Sequence, residues 1–355
     1  NEPLGFRYAA ATVETYWLDP EMRSIQEGLE QAFPGQLVDL IDTADERNRI
    51  LFSTEASDQP PTYYMLVDKS KVAAIGDSRP WIDESDIGTT ELIYYSARDG
   101  LKVPGLLSLP EGYEAETDGR IPAIILPHGG PWARDYAGWD VSGWVPFLTS
   151  RGYAVLQPQY RGSTGFGRTY VTLDDQKKRR DSVRDLIDML AALEADGRVD
   201  TSRAAVVGGS YGGYMVNAVL ALYPDAFDAG AALFGVGNWV TALQVASPSL
   251  KASDRIEYGD ISEQEWVDYY TENSPVALAD NIKVPVLYSH GVQDPRIDIS
   301  ETEIMVKTLR ENGIETPYIR IPDEGHGWRK LKNQLYYFRR QANFLEEQLT
   351  GETAE

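Results

Sequence analysis

The sequence predicts an α/β chain built on a doubly wound, mostly parallel sheet, with a small β-rich segment ahead of it. Three observations predict it. From about residue 90 onward, short apolar runs without alternation, such as 204–207 and 229–234, are spaced by helix-like stretches. Such runs suit strands buried on both faces, and strand–helix alternation is the pattern of a parallel sheet covered on both sides. Residues 1–85 read instead as short strands separated by turns. Between the fifth run of the later part and the helix after it lies Gly208-Gly209-Ser210-Tyr211-Gly212, a Gly-x-Ser-x-Gly turn.

Taken in order, residues 19–33 read as a helix opening on Asp19-Pro20-Glu21, a capping acid followed by proline in the first turn. Strands follow at 37–42, 49–53, 63–67 and 71–75, with polar turns such as Thr43-Ala44-Asp45 and Asp68-Lys69-Ser70 between them. Four strands at this spacing resemble one propeller blade, or form a plain β-meander. No second copy of the pattern follows, so no repeat array is expected. A proline- and acid-rich connector, 79–88, leads into the larger domain, 86–350, and a tail, 351–355. Strands are expected there at 92–96, 103–109, 121–126, 153–157, 204–207, 229–234, 284–289 and 317–321. Helices are expected at 142–150, 181–195, 214–223, 301–312 and 330–348. Eight strands with a tight serine turn after the fifth match the plan of an α/β-hydrolase fold.

Composition narrows the function classes. The formal charge of −22 disfavours nucleic-acid binding, which needs a basic surface. An acidic, lysine-poor surface suits a salty habitat, but plain solubility is the simpler reading. No apolar run approaches the length of a membrane-spanning helix. The chain opens at Asn1 without a signal peptide, so a processed or trimmed product is expected. Cysteine is absent, which excludes disulfides, a thiolate nucleophile and a cysteine metal site. The compartment stays open, with the cytoplasm as the expectation. No cofactor or metal is expected: Gly-Gly-Ser-Tyr-Gly-Gly lacks the Lys-Ser/Thr ending of a phosphate loop, no histidine pair has zinc spacing, and Asp294 and Asp298 lack the further ligands of a calcium loop.

The Gly-x-Ser-x-Gly turn has the form of a nucleophile elbow, with Ser210 at its tip. Its glycines have a steric reason, since a side chain two residues either side would strike the neighbouring strand or helix. The helix that follows aims backbone N–H groups at the serine and favours negative charge there. A serine nucleophile needs a base, and the base needs an orienting carboxylate. The chain has only three histidines, His128, His290 and His326. In this fold the triad runs Ser, then Asp or Glu, then His, so His128 is out of order. His290 has no strand-end acid between it and Ser210 and reads as a satisfied residue at a strand end. His326, in Glu324-Gly325-His326-Gly327, is the expected base. Asp294, at the start of the loop after the penultimate strand, is the expected carboxylate. Asp298 competes but reads better as a helix cap. Asp323 and Glu324 are too close to His326 in sequence to reach around its ring. The oxyanion hole is expected from the N–H of Tyr211 and that of Gly130, with Gly129 as the second choice for the latter.

Ser210 within Gly-Gly-Ser-Tyr-Gly-Gly-Tyr, His-Gly-Gly-Pro-Trp-Ala-Arg-Asp at 128–135, Tyr-Arg-Gly-Ser-Thr-Gly-Phe-Gly at 160–167 and Glu-Gly-His-Gly at 324–327 together resemble the prolyl oligopeptidase family of serine peptidases, nearest its acylaminoacyl-peptidase-like branch. The resemblance covers about 90–348 and more weakly the blade before it. It implies hydrolysis of short peptides or N-acylated amino-acid amides through an acyl-enzyme, and Ser210, Asp294 and His326 match the family triad. It also implies that Val236 and Trp239, beside Tyr211, line the pocket for an uncharged acyl-side group. Two departures matter. His128 stands where the dipeptidyl branch has an oxyanion tyrosine, which points to a backbone donor. Only one blade precedes the catalytic domain, where the family carries a whole propeller. An open mouth, better turnover of aryl esters than of amides, and self-association through bared apolar surface are the consequences expected.

Arg161 and Arg168 flank a glycine-rich loop and either orient a substrate carboxylate or, more simply, pair with acids. Two other function classes share these residues. A carboxylesterase would use the same triad on short-chain or aryl esters. A non-catalytic interaction module would have no need of all three triad residues.

Overall fold

The computed structural model describes residues 3–83, 86–246 and 248–351. Asn1, part of the connector 79–88, and the expected tail beyond Gly351 lie outside the described residues. The chain falls into two compact units, residues 1–92 with 106–114 and 136–155, and residues 93–105 with 115–135 and 156–355.

In the first unit, β1 (Gly5–Ala9) and β2 (Val13–Trp17) form an antiparallel hairpin. Helix α1 (Pro20–Ala32) starts where the Asp19 carboxylate accepts the N–H groups of Glu21 and Met22, both at 3.0 Å. Two of the helix's otherwise unpaired first-turn donors are thereby satisfied. Strands β3 (Leu37–Ala44), β4 (Arg49–Ala56), β5 (Gln59–Val67) and β6 (Lys71–Asp77) pair antiparallel in sequence order. Met22 and Leu29, seven positions apart and so on one face of α1, meet Leu40, Ile50, Phe52 and Leu66 in a buried cluster. The four expected strands and the capped helix are all present, each strand longer than its apolar run suggested.

The eight-stranded sheet has the order β14-β13-β12-β11-β9-β10-β8-β7. Its strands are β7 (Thr90–Ser96), β8 (Lys102–Ser108), β9 (Ile121–Ile125), β10 (Ala154–Pro158), β11 (Val199–Gly209), β12 (Ala229–Leu233), β13 (Val286–Gly291) and β14 (Tyr318–Ile321). β11 pairs parallel with both β9 and β12, β12 with β13, and β13 with β14. Ala204 to Val207 are wholly buried, which is why that stretch is apolar without alternation. Helices α2 (Trp144–Thr149), α3 (Arg179–Asp196), α4 (Tyr211–Leu222), α5 (Trp239–Val245), α6 (Pro248–Tyr258), α7 (Gln264–Asn273), α8 (Ser300–Glu311) and α9 (Leu331–Thr350) complete the main elements. No helix among the described residues is long and apolar enough to cross a membrane.

The hairpin β1–β2 and the helices α5–α7 are not among the elements expected from the sequence. The hairpin leaves most of its residues exposed, so no burial alternation marks it. The stretch holding α5–α7 is broken by Pro248 and Gly259 into helices too short for a clear helical period.

Parallel strands deliver their C-terminal ends to one edge of a sheet, where ligand sites of open α/β sheets form. Here β11, β13 and β14 end at Gly209, Gly291 and Ile321, each running into a loop. The turn from β11 into α4 leaves no room for side chains. A Cβ on Gly208 would lie 2.6 Å from the Gly212 carbonyl oxygen, and one on Gly212 would lie 2.3 Å from that of Pro127. Both obstacles are backbone and cannot swing aside. Gly212→Ala is therefore expected to cost about 2 kcal/mol or more, at the upper end of overpacking effects. Urea unfolding of the variant should show a lowered midpoint at unchanged slope.

Candidate active site

Ser210 occupies the turn at φ 59° and ψ −122°, a strained conformation for a residue with a Cβ. It is held there by its own N–H, which donates to the Leu233 carbonyl at 2.9 Å, and by its carbonyl, which accepts from Tyr214 N–H at 3.1 Å. The side chain is thrust out at the C-terminal end of β11, with α4 starting directly behind it.

His326, on the loop after β14, reaches this serine. The Ser210 hydroxyl donates to His326 Nε2 at 2.9 Å, and His326 Nδ1–H donates to Asp294 Oδ2 at 2.7 Å. The Asp294 side chain is fully buried, while that of His326 is 14% exposed. Burial works against ionisation of Asp294. Hydrogen bonds from His290, His326 and the N–H groups of Arg296 and Ile297 outweigh it and hold the carboxyl well below the usual carboxylate range. The Phe234 ring packs 4.6 Å from that of His326 and 5.5 Å from that of Trp328, so the imidazole is walled on its apolar side. The three residues expected from sequence thus come from three different loops and meet at hydrogen-bond distance.

The other titratable candidates are occupied elsewhere. His290 is wholly buried, takes a hydrogen bond from the Thr302 hydroxyl at 2.7 Å and donates through Nε2 to the Ile297 carbonyl at 3.1 Å. Its Nε2 also lies 3.4 Å from Asp294 Oδ2, the same oxygen that His326 meets. Asp298 accepts the Ser300 N–H at 2.9 Å just ahead of α8, in the manner of a cap. Asp323 pairs with Lys330 at 2.7 Å, and Glu324 accepts the N–H of Lys330 at 2.8 Å. Arg161 is buried in ion pairs with Asp185 at 2.8 Å and Asp99 at 2.9 Å, which uses up the fork that might have met a substrate.

Gly129 packs against the elbow, close enough that a Cβ there would lie 3.5 Å from Ser210 Cβ. Gly130, at φ 133° where glycine is favoured, lines a cavity of about 420 Å³ together with Ser210, Tyr211, Val236 and Trp239. Leu243, Val245, Asp254, Tyr258, Arg296 and Asp298 also line it. His128 is not among the lining residues. Burial pushes its imidazole down to about 4, so the ring is neutral. Its Nδ1–H donates to the Gly129 carbonyl at 2.7 Å, and its backbone carbonyl accepts the Tyr160 hydroxyl at 2.8 Å.

Sequence reasoning did not single out Phe234, Tyr258 or the buried pair of Arg179 and Glu257 behind the cavity. Arg179 is 2% exposed and its guanidinium lies 2.7 Å from Glu257 Oε1. Asp174, Asp175 and Glu257 have carboxylate oxygens within 4.8 Å of one another. That donor set would suit a hard cation, but Arg179 already supplies a positive charge beside two of the three acids. Nothing in the sequence around Arg179 distinguishes it from the exposed Lys178 before it.

Residues 139–352 match the model of the prolyl oligopeptidase family. The chain is 32% identical to dipeptidyl aminopeptidase BIII of Pseudoxanthomonas mexicana, over 94% of this chain and 49% of that protein. It is 30% identical to acylamino-acid-releasing enzyme 1 of Oryza sativa subsp. japonica, over 61% of this chain and 29% of that protein. The chain thus spans about half or less of the length of these relatives. Among solved structures, a puromycin-hydrolyzing peptidase of Mycobacterium tuberculosis superposes with a TM-score of 0.80 at 22% identity, over 99% of this chain and 53% of that one. An acylaminoacyl peptidase of Pyrococcus horikoshii superposes at 0.75 and 23% identity, over 88% of this chain and 50% of that one. These superpositions establish the α/β-hydrolase fold. With the family model covering most of the chain, the protein belongs to the prolyl oligopeptidase family.

Proposed function

We propose that this chain is a serine hydrolase that cleaves short peptides or N-acylated amino-acid amides through an acyl-enzyme. The observation that carries the reading is the relay from Ser210 through His326 to Asp294, at 2.9 and 2.7 Å, beside a cavity of about 420 Å³. In this reading Ser210 Oγ attacks the substrate carbonyl carbon while His326 Nε2 takes its proton. The carbonyl oxygen becomes negative and meets the N–H groups of Tyr211 and Gly130 at the start of α4 and on the facing loop. Collapse of the intermediate expels the amine, which receives the proton back from His326. A water molecule then repeats the sequence on the acyl-enzyme. Asp294 stays ionised throughout and stabilises the imidazolium.

The lining supports the substrate class. Val236, Trp239, Leu243 and Tyr258 offer an apolar wall to the acyl side of the scissile bond. Relatives named as a dipeptidyl aminopeptidase and as acylamino-acid-releasing enzymes favour amide over ester chemistry. The acidic surface favours no nucleic-acid partner. Self-association remains part of the proposal, and light scattering reads it directly. We also retain as a proposal the division into a β-rich segment, 1–85, and a catalytic domain, 86–350.

Three outcomes are expected. An organophosphonate should label Ser210 alone, and Ser210→Ala should abolish turnover while keeping the unfolding midpoint; mass spectrometry that finds the label on another serine overturns the assignment. His326→Ala should lower kcat about 10⁶-fold and Asp294→Asn about 10⁴-fold, by analogy with triad deletions in other serine hydrolases. Because Asp294 is held ionised well below the usual carboxylate range, Asp294→Asn removes a charge as well as a hydrogen-bond acceptor. Finally, an N-acyl phenylalanine anilide should be cleaved faster than its N-acyl glutamate counterpart, since the glutamate carboxylate would lose water against a lining whose acids, Asp254 and Asp298, outnumber the Arg296 cation. Running the matched aryl esters alongside separates peptidase from carboxylesterase: ester turnover without anilide turnover would favour the latter.

A further inference from the structure

Arg179, the first residue of α3, is buried in contact with Tyr211 and is linked through Glu257 to the loop that carries Gly130. Its Nη1 donates to the Tyr211 hydroxyl at 2.6 Å, and its Nη2 donates to Glu257 Oε1 at 2.7 Å and to the Glu257 carbonyl at 2.9 Å. Glu257 is 1% exposed, and its second carboxylate oxygen, Oε2, accepts the Trp132 indole N–H at 2.9 Å. A continuous line of charge-assisted hydrogen bonds therefore runs from Tyr211, the residue after Ser210, to Trp132, two residues beyond Gly130. The guanidinium lies 4.1 Å from the Tyr258 ring centroid, with Tyr211 and Trp239 at 5.5 and 5.6 Å. All three rings line the active-site cavity.

Resting on the reading above, we infer that Arg179 and Glu257 are positioning residues: together they tie Tyr211 to the Gly129–Trp132 loop and so fix the separation of the two backbone N–H groups that meet the oxyanion. The physical case has three parts. Oxyanion donors act through preorganisation, and a misplacement of about 1 Å can cost about 100-fold in rate. Tyr211 and Trp132 lie on separate segments, so their spacing depends on whatever bridges them. A buried ion pair is also poor at adding stability, since well-packed apolar residues usually serve as well, so its presence here is explained by the geometry that it specifies. Neighbouring charges leave the pair intact. Asp174 lies 3.7 Å from Arg179 Nη1 and burial pushes its carboxyl up, whereas Glu257 makes the closer pair at 2.7 Å.

The test uses two variants of the full chain. Arg179→Met with Glu257→Leu removes both charges at once and leaves neither unpaired. Trp132→Phe removes only the indole donor and keeps an aromatic ring. With a matched N-acyl aryl ester, the double variant is expected to lose about 100-fold in kcat with KM changed less than about threefold, and Trp132→Phe about tenfold in kcat alone. Circular dichroism and a melting scan establish that each variant is folded at the assay temperature. A folded double variant with wild-type kcat overturns the inference, as does a loss confined to KM, which would make the pair part of the pocket wall only. If the double variant fails to fold, Trp132→Phe decides by the same criterion. Ser210→Ala run in parallel separates the two levels: retained activity there sinks the serine-hydrolase reading itself, whereas dependence on Ser210 without dependence on the pair sinks only the positioning role.

Discussion

Ser210 sits at positive φ between a buried strand and a buried helix, and the surrounding chain is arranged to keep it there. Gly208 and Gly212 approach neighbouring backbone too closely for a Cβ, and Gly213 and Gly235 pack against one another where α4 leaves the turn. The strain at Ser210 is sustained by the buried C-terminal part of β11, from Ala204 to Gly208, on one side and by the buried helix α4 on the other. Loosening either would let the turn relax and withdraw the hydroxyl from His326. The sheet's order matters for the same reason. With β11 flanked by β9 and β12, and β13 and β14 beyond, the loops carrying Gly130, Asp294 and His326 all emerge at the edge where Ser210 is exposed.

Around that turn the second unit holds an unusual amount of buried charge. Asp294, Arg161 with Asp185, and Arg179 with Glu257 all have side chains at or below 8% exposure. Each is compensated differently. Asp294 is ionised because two imidazoles and two backbone N–H groups converge on it. Arg161 is clamped by Asp185 and Asp99, and its bonds tie the 160–167 loop to α3. Arg179 is held by Glu257 and stacked over aromatic rings. A net charge of −22 makes each of these buried cations a local exception to an acidic molecule. Stability alone does not explain such pairs. They share a location close to the loops that shape the proposed site, where fixed geometry matters more than raw stability.

Much of this molecule is legible in its sequence because the signals are local. A parallel strand buried on both faces must be apolar throughout, so 204–207 and 229–234 declare themselves. A turn with backbone packed at van der Waals range must be glycine, so Gly208 and Gly212 mark the elbow. Only three histidines exist, and chain order leaves His326 as the partner for Ser210. The three strands that end at Gly209, Gly291 and Ile321 follow from the alternation of elements, although the first two run two residues past the expected ends at 207 and 289. What the tertiary structure alone decided depends on residues far apart in the chain. That Arg179 is buried against Glu257 rather than solvated like Lys178, that His290 backs Asp294 at 3.4 Å, and that Phe234 walls His326 are consequences of long-range packing. A local window carries no trace of them, because a side chain's burial is set by what the rest of the fold brings against it.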